Sequence, residues 1–187
     1  MKRLAFFPIL LLFAVNISAG EITRFYINDE MKRDIVTFTS KAPLETVIGK
    51  TGEITGFIEV DLENFSETAS AKFEVDLASI KTGIGMRDTH MREQYLETDK
   101  FPKAVFVLTG IKTTVETSLT NNQSIDMILE GDFTVHGVSK KVEVSVTAAY
   151  LKETEETKAR LPGDLLHIIG TFDVYLTEHN IKRPQFV

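Results

Sequence analysis

Cysteine and tryptophan are absent from this 187-residue chain. Without cysteine there is no disulfide framework, no thiolate metal site, no cysteine nucleophile and no cysteine to carry a lipid anchor. Basic charge is in short supply: 21 Lys and Arg stand against 27 Asp and Glu, for a formal net charge of -6 and a pI of about 5.3. A nucleic-acid binder needs a basic footprint, so nucleic acid is not an expected partner. Long apolar runs are also lacking. No segment reaches the ~20 apolar residues of a transmembrane helix, so no membrane span is expected.

The longest apolar run, residues 4–15, follows Lys2-Arg3 and precedes Asn16-Ile17-Ser18-Ala19-Gly20. A basic start, a short apolar run and small residues form the pattern of a secretory signal peptide. Pro8 argues against reading the run as a core helix. The expectation is a signal peptide over 1–19, a single domain over 20–187, and export to the periplasm, with secretion as the alternative. A chain without cysteine is indifferent to an oxidising compartment.

Beyond residue 20 the apolar period is two almost everywhere. One face carries Val36 and Phe38; then Ile54, Gly56, Ile58 and Val60; then Phe73 and Val75; then Ala104, Phe106 and Leu108. It continues with Met127, Leu129, Gly131, Phe133 and Val135; Val142, Val144 and Val146; and Ile168, Gly170, Phe172, Val174 and Leu176. Such alternation marks antiparallel strands with one dry face. Weaker strands are expected at 21–28 and 112–119, a helical turn within 44–50, a short helix over 86–96 and a charged surface loop over 151–164. About nine strands with one dry side and so few helices predict an all-β fold, an antiparallel barrel that removes its own edges; two packed sheets are the competing arrangement.

Three glycines, Gly56, Gly131 and Gly170, fall mid-strand on the inward face, where glycine marks either a bend or the close approach of a ligand. Five phenylalanines, Phe38, Phe73, Phe106, Phe133 and Phe172, share that face. A barrel of this size either fills with side chains or holds one small ligand. Walls of phenylalanine offer no hydrogen-bond donor, which suits a hydrocarbon.

Two long motifs resemble one family. Ala78-Ser79-Ile80-Lys81-Thr82 is followed by Met86-Arg87-Asp88-Thr89-His90-Met91-Arg92, then Tyr95-Leu96, Phe101-Pro102 and Phe106. Further on stands Gly131-Asp132-Phe133-Thr134-Val135-His136-Gly137-Val138-Ser139-Lys140. Together with Gly49, Gly56, Asp61 and Asn180-Ile181, these are similar to the motifs of the YceI-like, lipocalin-like exported proteins. The resemblance implies a barrel with a long apolar channel for a polyisoprenoid or fatty lipid, no enzymatic step and no cofactor. Thr51 stands where those proteins usually have Phe, which predicts a first hairpin packed differently. The residues after Ile181 are too few for the further strand those proteins carry. That predicts incomplete closure at the C-terminus, with an open seam or a homodimer joined through it.

The expected lining is Val36, Phe38, Ile58, Phe73, Val75, Phe106, Leu129, Phe133, Val135, Val144, Phe172 and Val174. Arg87, His90 and Arg92 allow two readings. They hold a phosphate or other polar head at the mouth of the lumen, since the guanidinium fork suits phosphate; or the arginines pair with carboxylates while Asp88 pins the helix. His90 and Glu93 are two metal-ligand types without a third, so no metal site is expected. The leading expectation is a carrier enclosing one lipid; the alternative is a ligand-free barrel serving as a stress-response or interaction module.

Overall fold

The computed structural model describes residues 20–27, 29–41 and 44–183; the signal peptide expected over 1–19 lies outside them. Nine strands are present: β1 (Ile22–Ile27), β2 (Val36–Lys41), β3 (Thr46–Thr51), β4 (Ile54–Asp61), β5 (Ser70–Asp76), β6 (Lys103–Thr113), β7 (Ser124–Val135), β8 (Val138–Leu151) and β9 (Leu165–Thr171). Three short helices accompany them: α1 (Phe65–Thr68), α2 (Gly85–His90, continued by a π-helical turn over Met91–Tyr95) and α3 (Glu155–Lys158). Seven strands form one antiparallel sheet in the order β1-β4-β5-β6-β7-β8-β9, and β2 and β3 pair separately. The seven-stranded sheet curls into a nearly closed barrel with an unsealed seam, because β1 pairs only with β4 and β9 only with β8.

The register puts the alternating apolar residues on one side. Phe73 faces Phe106, Phe106 faces Phe133, Leu129 faces Val144 and Met127 faces Val146. A two-residue turn joins β7 to β8, with His136 at φ 52° and Gly137 at φ 74°. Both are left-handed, as a tight hairpin requires. One end of the barrel, near α1, is filled: Ile58, Val60, Phe65, Ala71, Leu119, Ile125, Met127, Val144, Val146, Ala148 and Tyr150 form a buried cluster. The other end, near α2, is closed by Leu77, Ile80, Ala104, Val135 and Ile181, against which Met91, Tyr95, Leu96 and Phe38 pack.

Several local expectations are corrected. Residues 46–51 are strand rather than a helical turn, because they pair with β2 from Val36↔Thr51 to Lys41↔Thr46. The expected strand at 112–119 is the tail of β6 plus a loop. That loop turns inward and buries Leu119, whose N–H donates to the Leu62 carbonyl at 2.7 Å, and so caps the α1 end. The last strand ends at Thr171, so Phe172, Val174 and Leu176 lie beyond it. The 151–164 segment contains α3, with Thr154 accepting from the Thr157 N–H at its start. Thr51 is buried and shares a hydrogen bond with Ser79 at 2.6 Å, a polar tie where a ring would pack.

Gly56 and Gly131, joined by Gly49, serve a purpose that differs from both expected ones; Gly170 is exposed, and a Cβ there would only touch Val144 at 3.3 Å and Val146 at 3.4 Å. A Cβ on Gly131 would lie 2.3 Å from the Phe106 ring and 2.8 Å from the Val107 carbonyl oxygen; one on Gly56 would meet the Lys72 carbonyl oxygen at 2.2 Å and Phe73 at 2.9 Å; one on Gly49 would meet Phe38 at 2.1 Å. Each glycine is the floor on which a phenylalanine from the adjoining strand lies. Gly131→Ala is therefore expected to lower stability by about 1–3 kcal/mol, the usual range for overpacking, measured as a shift in the urea midpoint at unchanged slope. The free edges of β1 and β9 make a second prediction. Their amides should exchange with solvent faster than those of 127–135, as hydrogen exchange followed by mass spectrometry will show.

Candidate functional site

Halfway along the barrel the inward side chains are not fully buried. Phe73, Val75, Phe106, Leu108, Leu129, Phe133 and Val142 all point inward yet keep accessible surface, in contrast to the sealed clusters at the two ends. Four rings meet there. Phe73 stacks on Phe106 at 6.1 Å between centroids, Phe133 meets Phe172 edge-on at 5.0 Å, and Phe106 lies 6.4 Å from Phe172. Phe172 comes from the segment after β9 and reaches past β8 to Phe133 of β7 and Phe106 of β6, so it flanks these rings from the side of the seam.

The seam runs beside Phe172. Ile168, Phe172 and Val174 are 37%, 36% and 38% exposed although they belong to the inward-facing series. β9 pairs with β8 only from Ser145 onward, so residues 138–144 of β8 have no strand on that side. The tail partly replaces it: the His179 Nδ1 approaches the Val138 carbonyl at 3.0 Å, and a concavity of about 300 Å³ is lined by Lys140, Val142, Asp173, Tyr175 and His179. A second shallow concavity, about 350 Å³, lies along β7, β8 and β9 and includes Met127, Val146 and Ile169.

The expected lining residues separate into groups. Phe73, Phe106, Phe133 and Phe172 come together, with Val75 and Leu129 beside them. Ile58 and Val144 are buried in the cluster at the α1 end, and Val135 in the one at the α2 end. Val36 and Phe38 stand on the separate β2–β3 pair, from which Phe38 reaches the α2-end cluster. The pattern did not single out Phe25 and Tyr150, whose rings meet at 6.4 Å across the barrel. Tyr150 continues the alternation of β8, a signal that was available. Its hydroxyl donates to Asp164, which pushes the Tyr150 pKa up to about 12.

The charged motif lies at the α2 end. Arg87 is fully engaged: Nη1 donates to Glu45 Oε2 at 2.9 Å, Nε to Thr82 Oγ1 at 2.9 Å and Nη2 to the Thr82 carbonyl at 3.1 Å. Asp88 is buried beneath it and accepts from both the Thr82 N–H, at 2.8 Å, and the Thr82 hydroxyl, at 2.6 Å. Those bonds hold its carboxyl below the usual range; burial opposes them, and the charges of Lys81 and Arg92 add to them. His90 is exposed. Arg92 has one donor contact, Nη2 to Thr89 Oγ1 at 3.4 Å, while its Nη1 is buried with no partner among the described residues. Among those residues no three His, Asp or Glu side chains converge as metal ligands do, and no helix is long and apolar enough to cross a membrane.

Asp88→Ala leaves the Thr82 N–H without its acceptor and should cost about 1–3 kcal/mol. Because folding lowers the Asp88 pKa, the carboxylate's contribution is complete above its unfolded value of about 3.9 and fades as the pH falls through the lower folded value. Urea midpoints of the wild type and Asp88→Ala should thus differ at neutral pH and converge in acid.

A family model of the YceI-like domain matches residues 26–186. A UPF0312 protein of Shewanella sp. (strain MR-4) is 27% identical over 166 residues, 88% of this chain and 80% of that protein. One from Pseudomonas putida (strain GB-1) is 35% identical over 118 residues, 62% of this chain; the chain spans 55% of that protein's length. Among solved structures, BcnA of Burkholderia cenocepacia is similar at 14% identity and a TM-score of 0.42, with 75% of this chain and 94% of that one covered. A polyisoprenoid binding domain from Saccharophagus degradans, described as implicated in plant cell wall breakdown, is similar at 14% identity and a TM-score of 0.43, with 74% and 89% covered.

Proposed function

The chain belongs to the YceI-like family, and on that premise we propose that it is an exported carrier enclosing one polyisoprenoid or similar long-chain lipid in its barrel. The observation that carries this is that the inward rings Phe73, Phe106 and Phe133 are only partly buried, while Phe172, which meets two of them, and Val174 are exposed beside the seam. In a filled core those side chains would be fully buried, as their neighbours at both ends are. A hydrocarbon chain laid against them leaves water at ~0.8 kcal/mol per CH₂, and needs no polar contact for it. Export to the periplasm is supported by the pattern of the first nineteen residues.

The polar head is assigned by elimination among three cations. Arg87 already donates to Glu45 and Thr82, and His90 stands in solvent. Arg92 has a buried guanidinium nitrogen without an acceptor among the described residues, and an unmet buried donor is costly until something accepts from it. A phosphate or hydroxyl head at the α2 end meets that need. The ligand-free reading has its own support in the two buried clusters, which shorten the open space from both ends.

Organic extraction of the purified protein and mass spectrometry decide between the two. The expected result is one lipid per chain, lost in Phe133→Asp because an unpaired carboxylate is strongly disfavoured among the rings. A folded Phe133→Asp protein with an unchanged lipid load would refute this placement. For the head, Arg92→Met should weaken a prenyl phosphate by about ten- to a hundredfold, the worth of a charge-assisted hydrogen bond, and the neutral prenol far less. Arg87→Met should instead lower stability and affect both ligands equally.

A further inference from the structure

A second set of apolar side chains points away from the lumen. At the tip of the β2–β3 hairpin Leu44 is 95% exposed, and Ile48 follows at 57%; on the segment entering α2, Ile84 is 53% and Met86 73% exposed. The fold brings these two segments together. The Glu45–Arg87 ion pair, at 2.9 Å, ties the hairpin tip to α2. The backbones of Lys50 and Lys81 exchange hydrogen bonds at 2.9 and 3.0 Å. Ile48 alternates with buried Val47 and Gly49, so it shares the outer face with exposed Lys50; Lys41, opposite Thr46, is on the same face. Lys41, Lys50 and Lys81 are all exposed.

Scattered apolar side chains on a surface are ordinary; four at one end of a barrel, interleaved with three lysines, form a patch. The carboxylates beside it are occupied: Glu45 by Arg87, and Asp88 by Thr82 in the interior. A chain with a net charge of -6 thus places three lysines around Leu44, Ile48, Ile84 and Met86, four of its exposed apolar residues. Leucine, isoleucine and methionine enter the headgroup boundary of a bilayer, and lysines at the same level meet anionic headgroups. We propose that this face docks on an anionic lipid surface and sets the α2 end of the barrel against it. The inference rests on the carrier reading above, for which it supplies the place where lipid is taken up or handed over.

The test is flotation with vesicles of phosphatidylglycerol and phosphatidylethanolamine, and in parallel with phosphatidylcholine alone. Because the leader brings an apolar run of its own, the chain from Gly20 onward, which carries every described element, is the form to use. It should float with the anionic vesicles, be released by high salt and stay behind with the neutral ones. Replacing Lys41, Lys50 and Lys81 together by Glu should reduce partitioning by about a hundredfold, and Leu44→Asp with Met86→Asp should abolish it. All five side chains are exposed, but the charge of Lys81 supports the Asp88 carboxylate, so the variant of Lys41 and Lys50 alone is the one whose urea midpoint should not move, and it should already lose most of the partitioning. Equal flotation with neutral vesicles, no flotation, or variants that float like the wild type would overturn the proposal. Extractable lipid is measured separately on the same variants. Lipid retained without vesicle binding sinks the docking face alone; patch-dependent binding by a protein that yields no lipid sinks the carrier reading alone.

Discussion

The fold depends on one constraint: a single sheet has to be dry on one side with no second layer to cover it. Seven strands meet this by curling until their inward faces look at one another, so that Phe25 of β1 touches Tyr150 of β8. The curl stops short of closure, and the consequences concentrate where it stops. At the α1 end a loop and a short helix finish the job, with Leu119 and Phe65 driven into the interior. At the α2 end the chain after β9 does so, through buried His179 and Ile181. Between them the inward face remains partly open. The same shortfall in coverage that limits the core leaves Ile168, Phe172 and Val174 exposed beside the seam.

The parts of this arrangement that were readable in the sequence are those set by a single period. The inward faces of β4 to β8 follow from alternation alone, because each strand has one wet side. The helix at 85–95 was marked by Met91 and Tyr95 one turn apart, and the β7–β8 corner by Gly137. The parts that were not readable depend on residues far away in the chain. Residues 46–51 are strand because β2 offers an edge, and 114–119 turn inward because Leu62 offers a carbonyl. Neither partner announces itself locally.

The candidate site divides in the same way. Phe73, Phe106 and Phe133 share the period of their strands, and Phe172 continues the period of β9 past its end, so all four could be listed in advance. The roles of the cations could not, since Arg87 and Arg92 are alike in sequence. Arg87 finds Thr82 and Glu45, the latter 42 positions before it, whereas Arg92 reaches Thr89 alone. Arg87 ties the hairpin tip to α2, while Arg92 keeps a buried nitrogen that meets no acceptor among the described residues. The thirteen phenylalanines likewise divide by neighbour rather than by type: Phe65 is wholly core, whereas Phe172 flanks the rings from the side of the seam.

The rings lying on Gly49, Gly56 and Gly131 have a consequence for how such a sequence can change over time. Ring and glycine share one volume, so neither can be altered alone without leaving either a collision or a gap. At position 49 only the atoms of the Phe38 ring stand in the way, so a side chain there becomes acceptable once position 38 has shrunk, and those two positions should drift as a couple. At 56 and 131 the carbonyl oxygens of Lys72 and Val107 occupy the same volume as the rings, so glycine stays fixed there whatever becomes of Phe73 and Phe106.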